Sequence, residues 1–457
     1  MAGIGHVLVL PFPAQGHVNS LMRFSRQMAK HGLKITFVNM EYIHKRVVSS
    51  MPEEGSLMDS DINLVSIPGG LDSDDERNDL GKAMEALLRT VPARLEELVE
   101  GINASNGTGD INNITCILAD GAMGWAVEVA DKMGIRGAIF WSTVAASSAL
   151  LMSMPRLIDD GILNGDGKTT LLLELIQLSP GIPAFETTNL PWAAIPDPTT
   201  QKLEFISLYR TKRGSLQTIA DWWLCNTAYE LEPASFDLFP KLLAIGPLLE
   251  NDQTGQFRQE DSSCLNWLDQ QASRSVIYIS FGSYATLDPI QFQELALGLS
   301  LINRPFLWVV DQRNIDRAKN AFPDESQGQG ACTKIVDWAP QTKVLAHPAV
   351  ACFISHCGWN SVTEGITNGV PFLCWPQFID QFLDKSYICD EWKVGLGFDL
   401  AENGLVLRGE VAKKVEQMIS NESIRARALE LKEIILKTRA EGGHSSKNFK
   451  NFIKWLK

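Results

Sequence analysis

Residues 338–381 hold the side chains whose types and spacing best suit chemistry, because polar groups recur there where short apolar runs end. The run 351–354 predicts a buried strand, and residues 359–367 predict a helix that begins just after Gly358. The first N–H groups of a helix have no partner within it, and they suit phosphate oxygens. The stretch therefore predicts a phosphate site at the strand-to-helix turn, where open α/β sheets bind ligands. The polar side chains closest to that turn are His356, Asn360 and Ser361.

The other polar and aromatic groups of this stretch suit a nucleotide that carries a sugar. Trp338 offers a flat face for a base, and the carboxylate of Glu364 can accept hydrogen bonds from a vicinal diol. Asp380 and Gln381 supply a carboxylate and an amide, which can hold sugar hydroxyls. His356 can give a proton or a hydrogen bond to a leaving phosphate, so the stretch predicts chemistry at a sugar–phosphate bond.

A second candidate group lies near the N-terminus, where the predicted strand 7–10 is followed by a loop and a helix. His17 stands at the mouth of this crossover, and an ordinary imidazole, with a pKa of about 6.5, can take up a proton near neutral pH. Asp120 ends another predicted strand, and a carboxylate that accepts the other ring N–H would fix the tautomer of the imidazole. Each residue taken alone could equally cap a loop or a helix. Beside residues 338–381, the pair favours a base and its orienting carboxylate.

These residues resemble the nucleotide-sugar signature of plant family-1 UDP-glycosyltransferases, which carries Trp, His, a Trp-Asn-Ser triplet, Glu and Asp-Gln at these relative positions. The resemblance implies an α/β fold of the GT-B class, with two Rossmann-like doubly wound domains that face each other across a cleft. It implies inverting transfer of glucose from UDP-glucose, the co-substrate, to a hydroxyl of a small lipophilic acceptor, which would be phenolic, flavonoid or terpenoid. His17 would be the general base, oriented by Asp120, and neither a cofactor nor a metal would be required.

The resemblance also implies a role for each residue of the signature. Trp338 would stack on uracil, and Glu364 would hold the ribose. The diphosphate would contact His356, Asn360 and Ser361. The sugar would contact Trp359, Asp380 and Gln381, and Gln381 is the residue that glucose-using relatives usually carry. The other expected contacts of the UDP-sugar are Gly16, Ser142, Gly282, Ser283, Ala339, Gln341 and Gly358.

The acceptor and metal sites are much less well defined by the sequence. Four apolar residues are expected to contact the acceptor: Leu87, Phe140, Phe185 and Phe378. Two triplets, Asp59-Ser60-Asp61 and Asp72-Ser73-Asp74, look like the metal-binding Asp-x-Asp of another glycosyltransferase class. They lie in an acidic surface run, so we interpret them as solvated charge and expect no metal site.

Length and composition restrict the possible partners. A chain of 457 residues with 45% hydrophobic and 21% charged residues fits two globular domains. The net charge of −13 argues against a nucleic-acid partner, which needs clustered Lys and Arg. The eight cysteines are scattered singly, which is typical of a reducing compartment. With no secretory signal and no apolar run of membrane length, we expect a cytoplasmic protein that is a monomer.

The alternation of strands and helices predicts where the domains begin and end. We expect an N-terminal acceptor domain at 1–245, a polar linker at 246–265 and a UDP-sugar domain at 266–440. A last helix at 441–457 has an apolar face that suits packing on the first domain. Asp288 followed by Pro289 predicts a helix start. The proline-rich stretch 157–198 could form a wall of the acceptor site or a long surface connection.

Other functions are compatible with parts of the pattern. A sugar-nucleotide epimerase can share the two-domain architecture, although the signature and Trp338 argue against it. An NAD-dependent dehydrogenase is disfavoured, because no Gly-x-Gly-x-x-Gly loop follows the first strand. A non-catalytic binder of small lipophilic molecules would need neither His17 nor Asp120.

Overall fold

A computed structural model describes most of the chain: residues 5–49, 62–71, 80–107, 112–169, 175–195, 197–202, 205, 216–249, 263–283, 287–312, 314–322 and 332–457. The chain divides into two compact units. The first unit is Met1–Phe257 with Thr438–Lys457, and the second is Arg258–Lys437. The division falls inside the expected linker, whose residues 250–262 lie outside the described residues. The second boundary falls a few residues before the one expected at 440.

The first unit contains a parallel sheet of seven strands and a separate antiparallel strand pair. In chain order the strands are β1 (His6–Leu10), β2 (Lys34–Met40), β3 (Ile62–Ile67), β4 (Ile114–Asp120), β5 (Arg136–Trp141), β6 (Leu175–Ile176), β7 (Phe185–Glu186), β8 (Trp222–Cys225) and β9 (Leu242–Ala244). The large sheet has the order β3-β2-β1-β4-β5-β8-β9, and β6 pairs with β7. Strand β1 is buried along its whole length, as expected for a central parallel strand with helices on both faces.

Helices cross between these strands. They are α1 (Gln15–Lys30), α2 (Glu41–Ser49), α3 (Leu80–Asn106), α4 (Ala126–Lys132), α5 (Ala145–Asp159), α6 (Leu216–Ile219) and α7 (Pro233–Leu238). Short 3₁₀ turns occupy Gly121–Met123, Thr187–Asn189 and Tyr229–Leu231. Between α5 and β8, the described residues form only short elements, which fits the loosened sequence pattern there.

The second unit repeats this plan with a parallel sheet of six strands. They are β10 (Val276–Ser280), β11 (Phe306–Val309), β12 (Thr333–Val336), β13 (Val350–Ser355), β14 (Phe372–Cys374) and β15 (Gly395–Gly397). Their order is β12-β11-β10-β13-β14-β15. In both large sheets the chain first adds strands on one side of the first strand and then on the other. The strand order therefore reverses between β1 and β4 and between β10 and β13. Such reversals are the places where open α/β sheets bind ligands at the carboxyl ends of their strands.

The helices of the second unit are α8 (Ser263–Leu268), α9 (Pro289–Ser300), α10 (Ile315–Ala321), α11 (Gln341–Ala346), α12 (Trp359–Asn368), α13 (Gln381–Ser386), α14 (Arg408–Ile419) and α15 (Glu422–Arg439). A π-helical turn, Tyr387–Glu391, continues α13. The predicted helix start is confirmed, because Asp288 Oδ1 accepts hydrogen bonds from the N–H groups of Ile290 at 2.9 Å and Gln291 at 3.2 Å. No helix in the described part of the chain is long and apolar enough to cross a membrane.

The last helix, α16 (His444–Leu456), completes the core of the first unit. Phe452 is fully buried and stacks on Phe24 of α1, with ring centroids 5.7 Å apart. Both ends of the helix are also tied to the sheet by polar contacts. Ser445 Oγ donates to the carbonyl of Gly246 at 2.7 Å, and the Arg136 guanidinium donates to the carbonyl of Leu456 at 3.0 Å. The helix is therefore an integral part of the first unit.

Candidate functional site

In the first unit, His17 and Asp120 lie in direct contact at the reversal between β1 and β4. Helix α1 begins five residues after β1 ends, which places His17 in its first turn, and Asp120 is the last residue of β4. His17 Nδ1 lies 2.8 Å from Asp120 Oδ2. The side chain of His17 is 38% exposed, whereas that of Asp120 is 2% exposed. A neutral imidazole that donates from Nδ1 carries its basic lone pair on Nε2, so the arrangement suits proton uptake.

The second oxygen of Asp120 has a structural role. Oδ1 accepts the N–H of Ala122 at 2.9 Å and so caps the 3₁₀ turn Gly121–Met123. A side chain at Gly121 would lie 2.4 Å from the ring of Trp141, so this turn packs directly on that ring. The cap and the contact with His17 use different oxygens of one carboxylate. Asp120 can therefore be both the cap of a turn and the partner of His17. The bond from Ala122 to Oδ1 fixes the carboxylate so that Oδ2 faces the imidazole.

Ser142 also lies beside the imidazole. It follows β5, and its Oγ is 3.4 Å from His17 Nδ1. The ring of Phe12 meets His17 edge-on, with a centroid distance of 5.3 Å. Gly16 precedes His17 in the first turn of α1, where its carbonyl accepts the hydroxyl of Ser20 at 3.0 Å. The first unit thus collects three of the predicted residues around one imidazole.

In the second unit, the turn between β13 and α12 has an unusual backbone. Cys357 has a φ of 67°, in the left-handed region, and its N–H donates to Ser355 Oγ at 3.0 Å. Non-glycine residues rarely adopt this conformation. Where they do, the surrounding structure holds them in it, and such residues cluster at functional sites. The turn delivers the chain to Gly358, the N-cap of α12. Because Gly358 has no side chain, it offers no cap to the first N–H groups of the helix, which suits them to an anion.

Two glycines leave room for the ring of His356. A Cβ added at Gly358 would lie 2.5 Å from His356 Nε2, and one added at Gly282, after β10, would lie 2.7 Å from the same atom. Burial lowers the pKa of His356 to about 4, and the nearby backbone of Ser280 opposes this shift. The ring is therefore neutral at pH 7. Of the two roles predicted for His356, a neutral ring suits donation of a hydrogen bond better than donation of a proton.

Gln341, the first residue of α11, connects the segment after β12 to α12. Its Nε2 donates to Ser361 Oγ at 2.9 Å and to Glu364 Oε2 at 3.0 Å. Its Oε1 accepts the hydroxyl of Tyr278 at 3.1 Å. Burial raises the pKa of Tyr278, which keeps this hydroxyl protonated. Sequence reasoning missed Tyr278, because a tyrosine within an apolar strand gives no sign of a distant polar partner.

Gln381 is oriented by the loop that precedes it. Its Oε1 accepts the N–H groups of Gln377 at 2.8 Å and Phe378 at 3.2 Å. With the oxygen fixed by the backbone, Nε2 must point elsewhere, and it has no partner within the described ranges. Asp380 is the N-cap residue of α13 and makes no side-chain cap bond. This pair supplies an amide donor and a carboxylate acceptor at one helix start.

Several other residues that were predicted to contact the UDP-sugar follow β10 and β12, two strands that β11 separates in the sheet. Gly282 and Ser283 are exposed after β10, and Trp338, partly buried, and Ala339, buried, follow β12. Trp359 differs from these, because its ring is 3% exposed and packs 6.3 Å from the ring of Trp392. Its backbone N–H at the first position of α12 is therefore the group that it can present to a ligand. Asn360, in the same turn, is partly buried.

The structure corrects one of the predicted acceptor residues. Phe140 is fully buried and stacks on Phe24 at 5.1 Å, so its ring is part of the hydrophobic core cluster around Phe24, which includes neither Leu87 nor Phe185. Leu87 and Phe185 are also buried, and Phe378 is partly exposed. A cavity of about 630 Å³ in the first unit and one of about 480 Å³ in the second are lined by none of the predicted residues.

Metal binding was also considered from the sequence. Within the ranges that the structure describes, no group of three or more His, Cys, Asp or Glu side chains is placed to hold a metal ion. The two Asp-x-Asp triplets lie outside the described residues.

Known proteins resemble this chain along its whole length. A family model described as "UDP-glucoronosyl and UDP-glucosyl transferase" matches residues 206–437, and one described as "Glycosyltransferase, N-terminal domain" matches residues 5–52. The chain is 44% identical to UDP-glycosyltransferase 83A1 of Arabidopsis thaliana, covering 100% of this chain and 97% of the relative. It is 32% identical to linamarin synthase 1 of Manihot esculenta, over 98% and 96% of the two chains.

Solved structures agree with these matches. Os79 of O. sativa, in complex with UDP, superposes with a TM-score of 0.80 at 27% identity, covering 99% of this chain and 100% of that one. This match confirms the predicted fold class, GT-B with two Rossmann-like α/β domains.

Proposed function

Because this chain belongs to the UDP-glucoronosyl and UDP-glucosyl transferase family, and is therefore an enzyme that transfers a sugar from a UDP-sugar to a small molecule, we propose the following reaction for it. It transfers glucose from UDP-glucose to a hydroxyl of a small lipophilic acceptor, with inversion at the anomeric carbon. The contact of 2.8 Å between His17 Nδ1 and Asp120 Oδ2 carries the proposal. It supplies an oriented base, which a binding protein would not need.

In the proposed step, Nε2 of His17 removes the proton of the acceptor hydroxyl as its oxygen attacks the anomeric carbon. The bond from that carbon to the UDP oxygen breaks, and the electron pair leaves with UDP. Asp120, buried and fixed by its cap on Ala122, stabilises the imidazolium that forms. Attack opposite the leaving group inverts the anomeric centre, so the product is a β-glucoside.

The residues around the start of α12 are proposed to receive the departing diphosphate. Helix N–H groups after Gly358 and the dipole of α12 favour negative charge there. His356, neutral at pH 7, donates a hydrogen bond from its ring, and Asn360 and Ser361 add side-chain donors. Since these groups supply the stabilisation, we propose that the reaction needs no metal. Turnover that survives an excess of chelator is the expected result, and complete loss would contradict it.

We assign the uracil, the ribose and the transferred sugar to separate groups of residues in the second unit. Trp338 stacks on uracil, and Glu364, held by Gln341, accepts the ribose hydroxyls. Asp380 and the Nε2 of Gln381 bind the hydroxyls of the transferred sugar. The presence of Gln at position 381, the residue that glucose-using relatives usually carry, supports glucose as that sugar, and its fixed oxygen leaves the amide N–H groups to donate. Competition among UDP-glucose, UDP-galactose, UDP-xylose and UDP-glucuronate tests this choice.

The acceptor is proposed to be a phenolic, flavonoid or terpenoid compound. Leu87, Phe185 and Phe378 remain the proposed apolar contacts. All eight cysteines are free thiols, which supports a reducing, cytoplasmic location, and we propose that the enzyme acts there as a monomer.

A panel of acceptors incubated with UDP-glucose tests the function as a whole. We expect glucosides with the β configuration, identified by the anomeric proton coupling in the NMR spectrum, together with stoichiometric UDP. An epimerase would instead convert UDP-glucose to another UDP-sugar without an acceptor. A non-catalytic binder would bind UDP without forming any product. Either outcome would replace the proposal.

A further inference from the structure

A buried carboxylate outside the residues assigned so far contacts the segment that carries Ser142. Glu232 is 0% exposed. Its Oε2 accepts the N–H of Ala146 at 3.1 Å, and its Oε1 accepts the hydroxyl of Thr227 at 2.7 Å. Ala146 is the second residue of α5, whose own N-cap, Val144, makes no side-chain cap bond. Glu232 thus caps α5 from a position 86 residues away in the sequence.

Two further groups, from the last residue of β8 and the residue after it, bind the same segment. The N–H of Asn226 donates to the carbonyl of Trp141 at 2.8 Å, and the thiol of Cys225 donates to the carbonyl of Thr143 at 3.3 Å. Residues 141–146 are therefore held by hydrogen bonds at Trp141, Thr143 and Ala146.

The segment 141–146 lies against His17 and against the residue that follows Asp120. Ser142 Oγ is 3.4 Å from His17 Nδ1. The ring of Trp141 lies against Gly121, which leaves no room for a Cβ there, and Gly121 follows Asp120. A shift of residues 141–146 would therefore move the neighbours of the imidazole and of its orienting carboxylate.

A core does not need such a group for stability. Burial raises the pKa of Glu232 to about 8, against the lowering effect of its bonds to Thr227, Ala146 and Ala145. The free energy of removing a carboxylate from water is large, and a well-packed apolar residue is often more stable in such a place. The nearest titratable neighbour, the Cys225 thiol, is itself raised in pKa by burial and by Glu232, so it does not offset this cost.

We propose that Glu232 is a positioning residue, which holds the start of α5 so that Ser142 and Trp141 keep His17 and Asp120 in their reactive arrangement. This inference rests on the proposed role of His17 as the base. Glu232 touches neither substrate in this account. It acts through the segment 141–146, so its loss should affect the rate of the chemical step much more than the binding of the donor.

The test compares Glu232→Ala and Glu232→Gln with a matched control, Glu230→Gln. Glu230 lies on the adjacent 3₁₀ turn, and its Oε1 is 2.9 Å from His444 Nδ1, so it is a paired glutamate that does not contact 141–146. We expect Glu232→Ala to lower kcat about 10-fold or more, since small misplacements of catalytic groups have such effects, with a much smaller change in KM for UDP-glucose, because only Ser142 among the expected donor contacts lies in segment 141–146. Glu232→Gln should restore most of kcat, because its amide oxygen can accept the N–H of Ala146 and the wild-type carboxyl is mainly protonated at pH 7. Glu230→Gln should match the wild type.

A double variant tests the route of the effect. If Glu232 acts through Ser142, then Ser142→Ala in the Glu232→Ala background should lower kcat less than Ser142→Ala does alone. Fully additive losses would contradict that route. Should Glu232→Ala fail to fold, Thr227→Val removes one bond to the carboxylate with little change of shape, and a smaller loss of kcat is expected.

A measurement without turnover separates this inference from the proposed function. In protein labelled with ¹³C in the histidine rings, the His17 signal, assigned with His17→Gln, should move in Glu232→Ala and stay in place in Glu230→Gln. An absence of turnover in the wild type would contradict the proposed function alone. An unmoved His17 signal, or an unchanged kcat in folded Glu232→Ala, would reduce Glu232 to a structural cap and overturn the inference.

Discussion

The Nδ1 atom of His17 lies 2.8 Å from Oδ2 of Asp120, and the two side chains differ sharply in their access to water. The carboxylate is 2% exposed and the imidazole 38%. One partner is therefore fixed inside the protein, whereas the other can reach a substrate. This asymmetry is what a base and its orienting group require, and it leads to the first two predictions.

Replacing His17 by alanine should abolish most of the turnover and leave UDP binding intact. We expect turnover to fall about 100- to 10,000-fold, the usual contribution of general base catalysis. The loss should be larger for an aliphatic alcohol than for an acidic phenol, which needs less help to lose its proton. His31→Gln, at the other end of α1, is the control and should behave as the wild type. Near-normal turnover of an aliphatic alcohol by His17→Ala would remove His17 from the mechanism.

Replacing Asp120 by alanine should cost less turnover than His17→Ala, because the imidazole remains and loses only its orientation and charge support. The same change removes the cap on Ala122, so the free energy of unfolding should also fall by about 1 kcal/mol. Steady-state kinetics and urea unfolding measure the two effects separately. A loss of stability without any loss of turnover would leave Asp120 as a cap alone.

Gly358→Ala should weaken UDP binding by crowding His356. The added Cβ would lie 2.5 Å from Nε2, although the φ of Gly358, −61°, suits alanine. The effect is thus steric and not conformational. Saturating UDP, at about 100 times its dissociation constant, should stabilise the wild type by about 2.7 kcal/mol and the variant by clearly less. Gly409→Ala, where a Cβ meets nothing within 4 Å, is the control, and NAD should shift neither protein.

The neutral state of His356 predicts a dependence of stability on pH. Its pKa is lower in the folded protein, about 4, than the ordinary value of 6.5, so the unfolded chain binds the proton more readily. The stability that this provides is fully present above pH 6.5 and is lost as the pH falls towards 4. Because the unfolded chain binds this proton and the folded protein does not, the free energy of unfolding should fall by about 2 kcal/mol between pH 7 and pH 5. In His356→Gln, urea unfolding should show a smaller loss over this range, and His6, also lowered in pKa by burial, accounts for part of what remains.

Phe452→Ala should strongly destabilise the first unit. The ring is fully buried and stacks on Phe24, and removing such a ring costs about 3–5 kcal/mol. Thermal unfolding measures the change, and Lys454→Ala, on the exposed side of α16, is the control. Equal stability of the two variants would show that α16 contributes little to the core.

Sequence reasoning succeeded where local pattern and topology act together. His17 and Asp120 were paired because one was expected in the crossover after the first strand and the other at the end of a neighbouring strand, and Asp288 was recognised from its cap position. The prediction that Phe140 contacts the acceptor was wrong. Phe140 is the residue before the last one of β5, and its side chain points into the core. Glu232 and Tyr278 could not have been found, since their partners depend on which distant strands become neighbours. The catalytic and binding roles themselves remain predictions.

The first unit is discontinuous in sequence, since Thr438–Lys457 joins it only after the second unit has been passed. During synthesis on the ribosome, β1 and α1 therefore emerge long before α16 exists. Until residues 444–456 leave the exit tunnel, the face of Phe24 that Phe452 later covers has no native partner from that helix. The nascent first unit carries an apolar patch for most of its translation, and its final folding step is set by the arrival of the last helix.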